Sequence, residues 1–210
     1  MSAFRKLRDH LQHQVLGGLA TLAATEINDV YALAFLVDNQ DDDPRRPVLT
    51  VRHNTRAQVR IALSTADKTV DEPVDEPADS PADARWNLAY WLPGELVVIA
   101  DSARDPTGAA LREAWIRALG LWYEGGLDAE GHPAAIGLLA LEIEGCFNEE
   151  CVRLARALHS TGTLEGALGR PVPILIPEWE HGSGTAGQTL AANPAGLARE
   201  YIDWTRGQGH

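Results

Sequence analysis

The run Val30 to Val37 (VYALAFLV) constrains this chain more than any other segment of its length. It is apolar throughout, rich in aliphatic and aromatic side chains, and bounded by turn-forming pairs, Asn28-Asp29 before it and Asp38-Asn39 after it. Such a run suits a buried β-strand, over which other elements must pack. Gln40 to Pro47 then reads as a turn and Val48 to Arg52 as a second strand. The pair predicts a hairpin with an acidic tip at Asp41, Asp42 and Asp43.

Helical spacing dominates elsewhere. Phe4, Leu7, Leu11, Val15, Leu19 and Leu22 recur at steps of three and four, one apolar stripe over 4–24 with Ser2 as N-cap. Gly17-Gly18 is a place for a bend or a close approach. Thr55-x-x-Gln58 has the form of a capping box and opens a further helix. Leu96 to Ile99 reads as a central strand, and Asp105-Pro106 as an N-cap with proline at the first helical position. Leu111, Trp115, Ala118, Leu119 and Trp122 continue that helix on one face. Leu139, Ile143, Phe147, Cys151, Leu154 and Leu158 form another long stripe, which Gly145 could divide. Val172 to Ile176 is a last strand, and Asn193-Pro194 opens a final helix ending near Arg206. Helices and strands do not alternate in βαβ order. The expected fold is therefore α+β, a small, mostly antiparallel sheet flanked by several helices, in one domain over 1–210.

Charge is unevenly spread. The net charge of -12 opposes nucleic-acid binding, which needs a basic face to displace counterions. Residues 67–84 hold seven acids against Lys68, and 38–46 hold four acids against Arg45 and Arg46. The stretch VDEPVDEPADSPADA repeats with a proline closing each unit. Proline and like-charge repulsion predict an extended, flexible acidic loop at 67–84 rather than a linker between domains. No run of eighteen apolar residues predicts a transmembrane helix, and Met1 to Arg8 lacks the apolar core of a secretory signal, so a cytoplasmic protein is expected. Cys146 and Cys151, about 140° apart on a helix, fit two free thiols rather than a disulfide.

No pattern of catalytic or metal chemistry emerges, and neither a metal nor a cofactor is expected. His10 and His13 lie at i and i+3, but no further ligand joins them, so they read as a solvated helix face; the other histidines look scattered and loop-like. Glu142, Glu144, Glu149 and Glu150 read as the solvent side of a helix. Gly182 to Gly187 is a flexible loop without the lysine of a phosphate cradle. Glu178-Trp179-Glu180-His181 is the one place where acid, imidazole and aromatic groups adjoin it, and it marks the alternative of an enzyme of unknown reaction. Trp115 and Trp122 read as core, whereas Trp86, Trp91 and Trp179 sit near turns, where a packing cap and an interface anchor are both open.

YALAFLVD at Tyr31 to Asp38, Arg85-Trp86 with Trp91, and the closing segment from Asn193-Pro194 occur in an order that resembles the bacterial family called domain of unknown function 4303. Some members of that family are proposed immunity proteins of polymorphic toxin systems. The resemblance implies a cytoplasmic protein that binds and blocks a basic toxin domain, and it brings no catalytic residues. The VDEP stretch departs from the family's pattern. Binding rather than catalysis is the expectation, with Asp41, Asp42, Asp43, Trp86, Trp91, Trp179, Glu180 and His181 as candidate contact residues. A structural or assembly subunit is the remaining alternative.

Overall fold

The apolar run at Val30 becomes β1 (Val30–Asn39), which pairs antiparallel with β2 (Pro47–Thr55). The computed structural model describes residues 2–64, 80–91, 94–124, 133–177 and 186–207, with 133–136 described by backbone alone. β2 in turn pairs antiparallel with β3 (Glu95–Ile99), and β4 (Ile174–Leu175) lies parallel to β1 on its other side. The sheet order is β3-β2-β1-β4. The fold is α+β, with two antiparallel pairings and one parallel.

β1 is buried without a break from Val30 to Leu36 because apolar layers cover both of its faces. Alternating side chains serve the two layers. Leu33 and Phe35 enter one core, Ala32, Ala34 and Leu36 the other. The first core is roofed by α1 (Ala3–Leu19), α5 (Pro106–Leu119) and α6 (Pro133–Ser160). Leu7, Leu11 and Val15 of α1 meet Phe147, Cys151, Leu154 and Leu158 of α6 there, and Trp115 of α5 contacts Phe147 edge-on at 5.9 Å. The second, smaller core is built by α4 (Pro81–Trp86), a 3-10 turn at Leu88–Tyr90 and α9 (Arg199–Gly207). Its centre is Trp86, edge-on to both Tyr31 at 5.5 Å and Tyr201 at 6.1 Å. Shorter helices α2 (Ala24–Ile27), α3 (Arg56–Ser64), α7 (Thr163–Leu168) and α8 (Gly187–Ala192) fill in the connections.

The local caps form as their sequences dictate. Thr55 Oγ1 accepts the Gln58 N–H at 3.1 Å while Gln58 Oε1 accepts the Thr55 N–H at 2.8 Å, a reciprocal capping box. Asp105 caps α5 by accepting the Gly108 N–H at 3.0 Å, with Pro106 at the first helical position. Asn87 caps the 3-10 turn by accepting the Ala89 N–H at 3.0 Å.

Several boundaries differ from expectation. α1 stops at Leu19, and Gly17-Gly18 stay helical without a break. A Cβ at Gly18 would lie 3.1 Å from the Leu96 carbonyl oxygen, so the close approach of α1 to β3 is what that glycine serves. Residues 80–84, expected to be extended, instead open α4: Ser80 Oγ accepts the Asp83 N–H at 3.1 Å and Pro81 starts the helix. The rest of the acidic repeat lies outside the described residues. α5 ends at Leu119 because Gly120 turns left-handed (φ 77°), which places Trp122 beyond the helix rather than on its stripe. Gly145 does not divide α6.

β3 stands at one edge of the sheet, not at its centre. Four apolar residues in a row cannot distinguish an edge strand roofed by a helix from a central strand. The opposite edge is closed by side chains. Asn193 Oδ1 accepts the Ile174 N–H at 2.8 Å and its Nδ2 donates to the Ile174 carbonyl at 2.7 Å. Thr189 Oγ1 accepts the Ile176 N–H at 2.9 Å and donates to the Ile176 carbonyl at 3.2 Å. The two residues occupy the hydrogen-bonding positions of a missing fifth strand, which blunts the edge against pairing with another chain. Asn193-Pro194 therefore does not start the last helix, which begins at Arg199.

Candidate functional site

The β1–β2 connection is two consecutive tight turns. Asp41 and Asp42 are both left-handed (φ 57° and 55°), and the Asp43 N–H bonds to the Gln40 carbonyl at 3.1 Å, a primed turn with aspartate at both central positions. The Arg46 N–H then bonds to the Asp43 carbonyl at 2.8 Å. The three tip aspartates have different fates. Asp43 turns inward and accepts Arg45 Nε at 2.9 Å and Nη2 at 2.8 Å. Burial pushes its carboxyl up, but the bonds and charges of Arg45 and Arg46 outweigh this and hold it below the ordinary range. Asp41 forms an exposed pair with Arg46 at 2.7 Å. Asp42 is exposed and has no ion pair among the described residues. Gln40 Oε1 accepts the Ser102 N–H at 3.0 Å, which ties the tip to the β3–α5 connection.

Beside this tip the second face of the sheet is only half covered. α4 and α9 pack over most of β1, while its C-terminal end together with β2 and the start of β3 keeps a groove of about 690 Å³ lined by Leu36, Asp38, Thr50, Arg52, Gly94 and Glu95. The register explains the lining. Leu36 stands opposite Thr50 and Thr50 opposite Val98, while Arg52 is next to Glu95, so two rows of side chains cross the strands on one face. Arg52 Nη2 donates to the Trp91 carbonyl at 2.9 Å, which braces the groove against the second core. Glu95 pairs with Arg104 at 2.5 Å at the surface. Asp38 is exposed and has no ion pair among the described residues. The polar floor was legible in part, since Leu49-Thr50-Val51-Arg52 alternates with the period of a half-exposed strand.

The candidate tryptophans among the described residues, Trp86 and Trp91, are structural. Trp86 and Trp91 are buried, 5% and 3% exposed, so neither is a surface anchor. Trp91 Nε1 donates to the Arg85 carbonyl at 3.0 Å, and the Arg85 guanidinium lies over Tyr31 at 4.7 Å and Trp86 at 5.0 Å. An aromatic cluster this close to a β1 strand with room above it fills the second core. Trp122 is half-buried between the guanidinium groups of Arg45, at 5.5 Å, and Arg117, at 4.1 Å. Trp179, Glu180 and His181, with Glu178, lie outside the described residues, as do His132 and His210.

His10 and Glu150, expected on solvated helix faces, instead belong to the scaffold, whereas Glu142 and Glu149 are exposed as expected. His10 Nε2 packs 2.8 Å from Asp105 Oδ2, while His13 is exposed as expected. The same carboxylate accepts the Ala100 N–H at 2.9 Å. Burial raises the Asp105 carboxyl, but its backbone N–H bonds and His10 prevail and lower it. His53 is in β2 rather than in a loop, buried, with Nε2 2.9 Å from Glu26 Oε1. His159, at the end of α6, has Nε2 3.1 Å from Asn193 Oδ1. Burial lowers its pKa, and the Asn193 bond offsets only part of that. Glu150 does not face solvent: it is buried, receives Arg8 Nε at 3.1 Å and Nη2 at 2.9 Å, and also pairs with Arg153 at 2.6 Å. Arg112, which the sequence did not single out, is buried and donates to the carbonyls of Ala100 at 2.6 Å and Pro47 at 3.3 Å. Burial, aided by the charge of Arg46, pulls its pKa down to about 10. Both cysteines are free, and burial pushes both thiols up.

Among the described residues no three histidine, cysteine or carboxylate side chains converge as metal ligands, and no helix is long and apolar enough to cross a membrane. Comparison with protein-family models, with curated proteins and with solved structures finds no match to this chain.

Proposed function

We propose that the chain is a cytoplasmic binding protein of the immunity type, which neutralises a toxin domain by taking a basic surface of it across the open half of the sheet. The observation that carries this reading is the groove itself. Its floor is rigid sheet, and Asp38 in its lining and Asp42 at the adjoining tip have no ion pair among the described residues. Glu95 and Asp41, by contrast, are paired with Arg104 and Arg46, and Arg52 adds one positive charge to the lining. Rigid placement of charge favours fast, selective capture of an oppositely charged partner. The net charge of -12 acts in the same direction at longer range. The resemblance to domain of unknown function 4303, which rests on its short motifs, points to the same role.

The test is co-expression with a basic toxin-like reading frame adjacent to the gene, followed by binding measurements on the purified pair. Asp38→Lys combined with Glu95→Lys should weaken binding by about tenfold or more, chiefly through the association rate, and the loss should shrink at high salt. Asp42→Gly should weaken binding while raising stability by up to about 1 kcal/mol, since glycine adopts the left-handed turn without strain. A wild-type chain that neither protects cells nor binds, or a double variant that binds like wild type, would overturn the reading.

A further inference from the structure

Around α8 and α9 the charge pattern reverses. Two adjoining hollows of about 400 and 270 Å³ share Leu190, Asn193 and Pro194 as their common wall. Their apolar surface comes from Leu190, which is 54% exposed, from Pro194 and from Ile202, which is buried beneath them. Three guanidinium groups stand around the rim, those of Arg156, Arg199 and Arg206. Among the described residues one carboxylate, Asp203, answers two of them, and only loosely, at 3.5 Å from Arg199 and 3.8 Å from Arg206. Arg156 is fixed at its edge by donating Nε to the Ala191 carbonyl. The wall is rigid too, because Asn193 is held by four hydrogen bonds to Ile174, Thr189 and His159.

We infer that this cleft between α8 and α9 docks an acidic peptide segment with apolar side chains, presented by a protein partner. A surplus of arginine around an apolar floor is an exception on a chain with 30 acids and 18 bases. Guanidinium groups match carboxylates in planar, paired geometry, and the exposed leucine and proline supply the apolar contact that a bare ion site lacks. Nucleic acid fits less well, because the field of the whole chain repels a polyanion while a short peptide meets mainly the local rim. The site is separate from the acidic groove and does not depend on its role.

The test uses the full chain and a dye-labelled decapeptide of leucine, proline and glutamate with both ends capped. The counterpart with lysine for glutamate and a thymidine decanucleotide serve as comparisons, with fluorescence anisotropy as the readout. The acidic peptide should bind saturably. Arg199→Glu combined with Arg206→Glu should weaken it by about tenfold, as two attractive rim contacts become repulsive. Leu190→Asp should weaken it as well, and Asp38→Lys in the opposite groove should leave it unchanged. These positions are exposed, so the variants should keep the wild-type melting temperature. Absence of saturable binding, equal binding by the double arginine variant, or equally tight binding of the oligonucleotide would overturn the inference.

Discussion

Replacing Gly108 with alanine sets two effects of opposite sign against each other. Within a helix the change ordinarily stabilises by about 1 kcal/mol, since alanine loses less backbone entropy. Here a Cβ would lie 2.0 Å from Asp105 Oδ2, 2.8 Å from its Cγ and 2.9 Å from His10 Nε2. The carboxylate has no easy retreat. Its Oδ1 caps α5 through the Gly108 N–H, and its Oδ2 holds both the buried Ala100 N–H and His10. Displacing it forfeits an N-cap, about 1 kcal/mol, and strands a buried N–H, about 1–3 kcal/mol. The obstruction should win by about 1–3 kcal/mol, and for a chain of this size the melting temperature should fall by about 2–12 °C. Chemical denaturation of Gly108→Ala, Asp105→Ala and the double variant isolates the cause. With the carboxylate gone, alanine at 108 should be neutral or mildly stabilising, so the two changes should couple strongly. A stabilising Gly108→Ala in the wild-type background, or simple additivity in the cycle, would refute the proposed knot.

Two further outcomes follow from the sheet edge and its neighbour. Asn193→Ala removes the side chain that satisfies Ile174, so unfolding should become easier by about 2–4 kcal/mol, and the freed edge should promote association visible by light scattering. His159 has a folded-state pKa below that of an unfolded histidine, so the unfolded chain takes up more protons below about pH 6.5. Its contribution is therefore fully present above that pH and is lost as pH falls through the folded value; denaturation midpoints should drop between pH 7.5 and 5 in wild type and less so in His159→Gln.

What could be read from sequence was what is decided within a few residues. The capping box at Thr55 and Gln58, the Asp105-Pro106 start and the apolar run of β1 are local, and the structure contains them. The errors arise where a distant partner decides. His10 meets Asp105 across 95 residues and Arg8 meets Glu150 across 142, so neither side chain shows in its own helix pattern why it is not solvated. Asn193 is the sharpest instance. Followed by proline, it reads locally as a helix start, but an unpaired strand edge nearby has backbone donors and acceptors that must be satisfied, and that demand prevails. The acidic groove needed the register of three strands, which no single segment contains.

The unequal covering of the sheet determines where partners can reach this molecule. One face lies under three long helices and is buried among apolar side chains, so a charge introduced there would be unmatched. The other face is covered over most of β1 by α4 and α9 and left open over β2 and the start of β3. At one edge β4 is closed by Asn193 and Thr189, so strand addition is obstructed there. The ionised groups that hold the scaffold, Asp105, Glu150 and Arg112, are buried, whereas Asp38, Asp42, Arg199 and Arg206 are exposed. Charge changes at the exposed positions should therefore alter binding with little effect on folding, and changes at the buried ones should do the reverse.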